Sequence, residues 1–166
     1  DWVLLGLKNE DSSGLADSTT LFEQQVAFLR KDGKIVGPDG FNPPDFAWNI
    51  SDSLYIDIIH RNHIDIMSAV ALQLNDTLYN YDFTTSLQKA YGQSLKDLEG
   101  TFGMISGDAN ADHVVNQLDK ILEWNANAGQ QAGYRLQDMN LDGQVDNRDK
   151  NDCWIGNEGK SVAYPK

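Results

Sequence analysis

A single cysteine, Cys153, among 166 residues excludes an intramolecular disulfide, so cystine usage says nothing about redox compartment. No apolar run approaches the roughly 18 residues that a helical membrane span requires, and such a span is excluded. Positive charge is scarce. Lys and Arg total 13 against 25 Asp and Glu, a formal net charge of −12. A chain of this sign repels a phosphate backbone, which excludes nucleic acid as a partner. Proline is sparse too, and Pro38, Pro43 and Pro44, with Gly40, break regular structure until about Phe46. No Ser or Cys nucleophile is marked by a motif.

What is present is enough apolar content, 40%, to bury a core in one large domain or two small ones. The first hundred residues read as short strands. Trp2 to Leu7 is an apolar run, and the polar stretch 9–20 is a surface loop. Asp32-Gly33 between two apolar runs predicts a hairpin. Ser53 to His60 carries β-branched and aromatic residues of a strand. Met67 to Leu74 and Leu78 to Phe83 continue the pattern, Tyr79, Tyr81 and Phe83 alternating as if on one buried face. The expected class is mainly β plus α, with an antiparallel β-sandwich over 1–102. A helix over 21–29 is the competing reading. The chain opens on Trp2-Val3-Leu4-Leu5, as expected of a module within a larger parent protein.

Two smaller features carry weaker signals. His60-Arg61-Asn62-His63 holds two histidines three apart, a spacing that can bind zinc or serve acid–base chemistry. Without a third ligand at supporting spacing, a strand end and turn is the preferred reading and an enzyme centred on His60 and His63 the lesser one. Asn49-Ile50-Ser51 and Asn75-Asp76-Thr77 match the glycosylation acceptor pattern, which has meaning only in a suitable host.

The dominant signal is a repeat. Asp108 to Asp119 reads D-A-N-A-D-H-V-V-N-Q-L-D, and 30 residues on Asp138 to Asp149 reads D-M-N-L-D-G-Q-V-D-N-R-D. Positions 1, 3, 5, 9 and 12 bear oxygen in both, the spacing with which an EF-hand loop wraps a hard cation. The register continues through Lys120, Trp124, Asn127 and Gly129 onto Lys150, Trp154, Asn157 and Gly159, so each unit reads as loop, short helix and Gly-bearing exit. The ligands expected in loop 1 are Asp108, Asn110, Asp112, the Val114 carbonyl, Asn116 and Asp119. Loop 2 repeats them as Asp138, Asn140, Asp142, the Gln144 carbonyl, Asp146 and Asp149. Many oxygens and a backbone ligand favour calcium over magnesium, giving two Ca²⁺ ions. Loop 2 has Gly143 at its sharp turn and four acidic ligands; loop 1 has His113 there and three, so loop 2 is expected to bind more tightly. Leu118, Ile121 and Leu122 form an apolar face on the first helix, and Trp124, Trp154, Val115 and Val145 are core candidates between the units. Cys153 is expected to be a small buried residue.

Tandem loops closed by Asp and lacking an entering helix resemble dockerin type I domains, over about residues 103–160 within a predicted second domain of 103–166. The resemblance implies a noncatalytic, calcium-binding module of a secreted or surface bacterial protein that docks onto a cohesin-like or other surface protein. The whole chain also resembles a C-terminal region of such proteins in which a β-sandwich precedes dockerin-like repeats. Many dockerins carry a Ser-Thr-like pair after the ninth loop position that contacts cohesin. Here those places hold Gln117-Leu118 and Asn147-Arg148, a departure that bears on cohesin binding and leaves the ligands untouched. The expected location is extracellular or the cell surface. A calcium-stabilised structural module without an external partner is the alternative function.

Overall fold

The apolar run Trp2-Val3-Leu4-Leu5 begins strand β1, Trp2–Asn9, which buries Val3, Leu5 and Leu7. β2, Leu21–Leu29, runs antiparallel to it, from Trp2 opposite Phe28 to Lys8 opposite Leu21, with an irregularity between Leu7 and Lys8. The helical alternative for 21–29 is thereby corrected. Glu23, Gln24 and Gln25 tolerate a helix, but the ladder offered by β1 satisfies their backbone in extended form. Asp32-Gly33 forms the expected hairpin: the Arg30 N–H donates to the Lys34 carbonyl at 2.9 Å, Gly33 takes φ +81°, and β3, Ile35–Val36, returns along β2.

The computed structural model describes residues 1–47, 53–130 and 133–165, so Asn49-Ile50-Ser51 lies outside the described residues. β4, Leu54–His60, and β5, His63–Met67, complete a five-stranded sheet in the order β3-β2-β1-β4-β5. β4 is an interior strand, flanked by β1 and β5, and Leu54, Tyr55, Asp57, Ile58 and His60 are all buried on it. Among the described residues β6, Gln73–Asn75, pairs only with β7, Leu78–Asn80, and β8, Lys96–Asp97, only with β9, Phe102–Gly103. Here the alternation of Tyr79, Tyr81 and Phe83 misleads. β7 ends at Asn80, and Leu74, Leu78 and Tyr79 stay exposed on a two-stranded ribbon. Asn75-Asp76-Thr77 sits at the exposed turn of that ribbon.

The chain is mixed, mostly strands with short helices, and divides into two compact units. The first comprises Asp1–Ile59, Ile66–Gly103 and Ala163–Lys166. The second comprises His60–Asp65 and Met104–Val162, so the tip of the β4–β5 hairpin groups with the repeat. The core of the second unit is Ile64, Ile105, Ala109, Val115, Met139, Cys153 and Trp154, with Trp124 and Val162 packed against it. Both repeat helices are wound as π-helix, Asp119–Trp124 and Asp149–Trp154, closed by the Asn125 N–H on the Lys120 carbonyl and the Ile155 N–H on the Lys150 carbonyl. That each copy is wound the same way makes the wide turn a property of the repeat.

Candidate metal centre

Each loop is held by its own carboxylates. In loop 1 Asp108 accepts from the N–H groups of Asp112 at 3.0 Å and His113 at 2.9 Å, and Asp112 accepts from Val114 at 3.0 Å. Asp119, the twelfth residue, reaches back to the N–H groups of Asn110 at 3.2 Å and Asn116 at 2.7 Å. Loop 2 repeats these contacts one for one. Asp138 accepts from Asp142 at 3.0 Å and Gly143 at 3.1 Å, and Asp142 from Gln144 at 2.9 Å. Asp149 accepts from Asn140 at 3.1 Å, Asp146 at 2.8 Å and Met139 at 2.7 Å, the last matched in loop 1 by the Ala109 N–H on Asp119. These bonds fix the carboxylate planes and leave further oxygen lone pairs unspent. The ninth residues cap the helical turns at the loop ends: Asn116 accepts from the Leu118 N–H and Asp146 from the Arg148 N–H, both at 2.7 Å.

The backbone bends at the same points in both copies. Ala111 and Leu141 at the fourth position have φ of +56° and +63°, and His113 and Gly143 at the sixth have +72° and +87°. His113 therefore adopts the left-handed conformation that glycine takes freely in loop 2. Its ring Nδ1 lies 3.0 Å from a carboxylate oxygen of the buried Asp65.

The donor chemistry fits a hard cation. Asp119 and Asp149 are fully buried, and Asp108 and Asp138 nearly so. Burial pushes the Asp108 carboxyl up to about 7, with Asp119 and Asp112 adding repulsion against the N–H groups that lower it. Asp119 and Asp138 are raised for the same first reason. Clustered, desolvated carboxylates joined by Asn side chains and main-chain carbonyls suit a dication with oxygen preference. Among the described residues no group of three or more His, Cys, Asp or Glu side chains is placed to hold a metal ion by itself. The residues that could hold one ion are Asp108, Asn110, Asp112, Val114, Asn116 and Asp119. Those that could hold the other are Asp138, Asn140, Asp142, Gln144, Asp146 and Asp149.

A pH dependence is expected of the metal-free protein. Folded Asp108 keeps its proton to about 7 whereas the unfolded carboxyl releases it near 3.8. The folded state thus binds the extra proton, so this group's favourable contribution is present on the acid side and is lost as pH rises through about 7. The buried, neutral His60 and His63 act with the opposite sign below about pH 6.5, so the Asp108 effect is read from the metal: calcium uptake near pH 6 is expected to release about one proton. Calorimetry in buffers of different ionisation enthalpy checks it.

The two copies grip one another crosswise. The Trp124 indole N–H donates to the Asp146 carbonyl and the Trp154 indole N–H to the Asn116 carbonyl, each at 2.8 Å, so each tryptophan binds the ninth residue of the other loop. Lys150 lies 4.6 Å over the Trp124 ring and Lys120 5.2 Å over the Trp154 ring. Val115 and Val145 are both buried, but their backbones meet the exits instead of each other: the Gly159 N–H donates to the Val115 carbonyl and the Gly129 N–H to the Val145 carbonyl, each at 2.8 Å. Swapped pairs of this kind relate the repeats by an approximate two-fold.

His60 and His63 carry the recognisable spacing, but Arg61 and Asn62 between them make the contacts to loop 2. The two rings stack edge-on at 4.6 Å, and burial drives His60 down to about 4 and His63 to about 3, so both are neutral near pH 7. Asn62 is the fully buried member. It donates to the carbonyls of Leu136 at 2.8 Å and Asp138 at 2.7 Å, bracing the entry to loop 2, while its carbonyl oxygen meets His63 Nδ1 at 2.8 Å. Nothing in the linear spacing links residue 62 to residue 138. The apolar face of Leu118, Ile121 and Leu122 stays open, at 47%, 53% and 59% exposure. No family model, curated protein or solved structure matches the chain.

Proposed function

We propose that the chain is a noncatalytic, extracellular or cell-surface module that binds two calcium ions and serves protein–protein docking or anchoring. In this reading residues 103–166 act as a dockerin-like domain and residues 1–102 as an accompanying antiparallel β-sandwich. The single observation that carries the metal assignment is the duplicated set of carboxylates, oriented by matching N–H bonds over matching left-handed turns in loops of identical spacing. Calcium supplies charge neutralisation and a rigid oxygen shell, with no reaction step. The chain's own residues supply the rest: Asp119 and Asp149 close the loops, and Trp124 and Trp154 transmit the order of one loop to the other.

The docking part rests on the exposed Leu118, Ile121 and Leu122 on the helix next to loop 1. In the second copy the same places hold Arg148, Asn151 and Asp152, so only one copy presents an apolar face. Calorimetric titration against recombinant cohesin modules, with calcium and with chelator, tests it. Calcium-dependent binding lost in Leu122→Glu is the supporting result, and no binding in either condition favours the structural alternative. That alternative, a calcium-stabilised module without an external partner, draws on the crosswise tryptophan bonds, which make the ions part of the fold itself.

The two loops are expected to differ. Gly143 adopts the turn without side-chain strain and loop 2 has a fourth acidic ligand, so Asp138→Ala is expected to cost more calcium affinity than Asp108→Ala. Site-resolved calcium titration of the two variants checks this, and a larger loss at loop 1 would reject it.

A further inference from the structure

Arg61 stands at the tip of the β4–β5 hairpin, one residue past the end of β4. Its guanidinium lies 3.7 Å from Oδ2 of Asp138, the first ligand position of loop 2, and its side chain is only 10% exposed. It is packed over the Tyr134 ring at 4.2 Å, a second contact for the planar cation beside the carboxylate. Next to it Asn62 ties the hairpin to the Leu136 and Asp138 backbone, so the charge is delivered on a fixed arm and not on a mobile side chain. Asp108, the matching carboxylate of loop 1, faces Asp119 and Asp112 and has no such guanidinium among the described residues.

We infer that Arg61 is a resident counter-cation of loop 2 that stabilises the metal-free loop and restrains its calcium affinity. The inference rests on the calcium reading above. A positive charge on Oδ2 offsets the carboxylate crowding that otherwise opposes folding without metal. The same charge opposes a dication placed on the same carboxylate. Arg61 thus acts as a positioning residue with a sign: it trades affinity for order in the absence of calcium. Its second contact, with the Tyr134 ring, does not depend on the carboxylate. One charge 3.7 Å from a ligand oxygen changes dication binding by about tenfold at solvent-like screening. The effect belongs to loop 2 alone. It reduces the advantage that Gly143 and the fourth carboxylate give that loop.

The test is calcium calorimetry in an Asp108→Asn background, which leaves loop 2 to be read, comparing Arg61 with Arg61→Gln, Arg61→Met and Arg61→Lys. Melts of the same four proteins in chelator accompany it. The neutral variants are expected to bind calcium about tenfold more tightly while melting lower in chelator, and the Lys variant to bind within about threefold of the parent. A neutral variant unfolded in chelator is titrated downward from the calcium-loaded state with a competing chelator, so the sign is read in either case. Neutral variants that bind calcium equally or more weakly would overturn the inference, because loss of a merely structural contact lowers stability and affinity together. Wild-type protein that takes up no calcium would instead overturn the metal reading itself, an outcome distinct from a wrong sign at Arg61.

Discussion

Asp149→Ala is expected to weaken calcium at loop 2 by roughly a hundredfold or more. Asp149 is fully buried and accepts three backbone N–H groups, from Met139, Asn140 and Asp146, while closing the loop as its twelfth residue. Truncation removes a ligand carboxylate and also strips three buried donors of their acceptor. Removing one partner of a buried charge arrangement costs about 3 kcal/mol or more, which is about a hundredfold in affinity. Loop 1 should respond less, because its twelfth residue, Asp119, is untouched. Site-resolved calorimetry reads the two constants separately. A loss at loop 2 below about threefold would show that Asp149 is a turn-forming residue only.

Trp154→Ala has the second large effect, and it reaches across the repeat. Trp154 is buried at 3% exposure among Ile64, Ile105, Val115, Met139 and Cys153. A large-to-small change at such a site costs about 3–5 kcal/mol through lost burial and the cavity left behind. For a unit of this size that lowers melting by roughly 20–35 °C. The milder Trp154→Phe keeps most of the ring and deletes the N–H bond to the Asn116 carbonyl, at a cost of about 1 kcal/mol. Because that carbonyl belongs to loop 1, the Phe variant is expected to weaken calcium at loop 1, though Trp154 comes after loop 2 in sequence. Trp124→Phe is expected to weaken loop 2 instead, through Asp146. Should each variant affect the loop of its own copy, the crosswise coupling is wrong.

The parts of the molecule readable from residues alone are those whose chemistry is local. Loop positions are fixed by side chains at set offsets, and the structure brings the twelve expected residues into two loops with matching internal bonds. Asp32-Gly33 marked its hairpin for the same local reason, and β1 and β4 announced themselves as apolar runs. The features that stayed hidden depend on partners distant in the chain. Leu21–Leu29 has a composition open to helix or strand, and only the ladder on β1 decides it. Tyr79 alternates with Asn80 as in a buried strand, yet it stays exposed on that two-stranded ribbon, so periodicity alone overstates the burial there. Arg61, Asn62 and Asp65 lie far ahead of the loops in sequence and meet them only because the hairpin tip joins the second unit. Their residue types gave no hint: the histidines on either side carry the recognisable spacing, and the amide and guanidinium between them touch the loop.

The central claim is that both loops take calcium and that this uptake completes the fold of the second unit. Equilibrium dialysis of the chelator-stripped protein against calcium, paired with thermal melts in calcium and in chelator, tests it most directly. The account predicts two ions per chain and a melting temperature that rises with free calcium, by about 4 kcal/mol of stabilisation per site at a thousandfold excess over Kd. No ions bound, with identical melts in the two conditions, would contradict it.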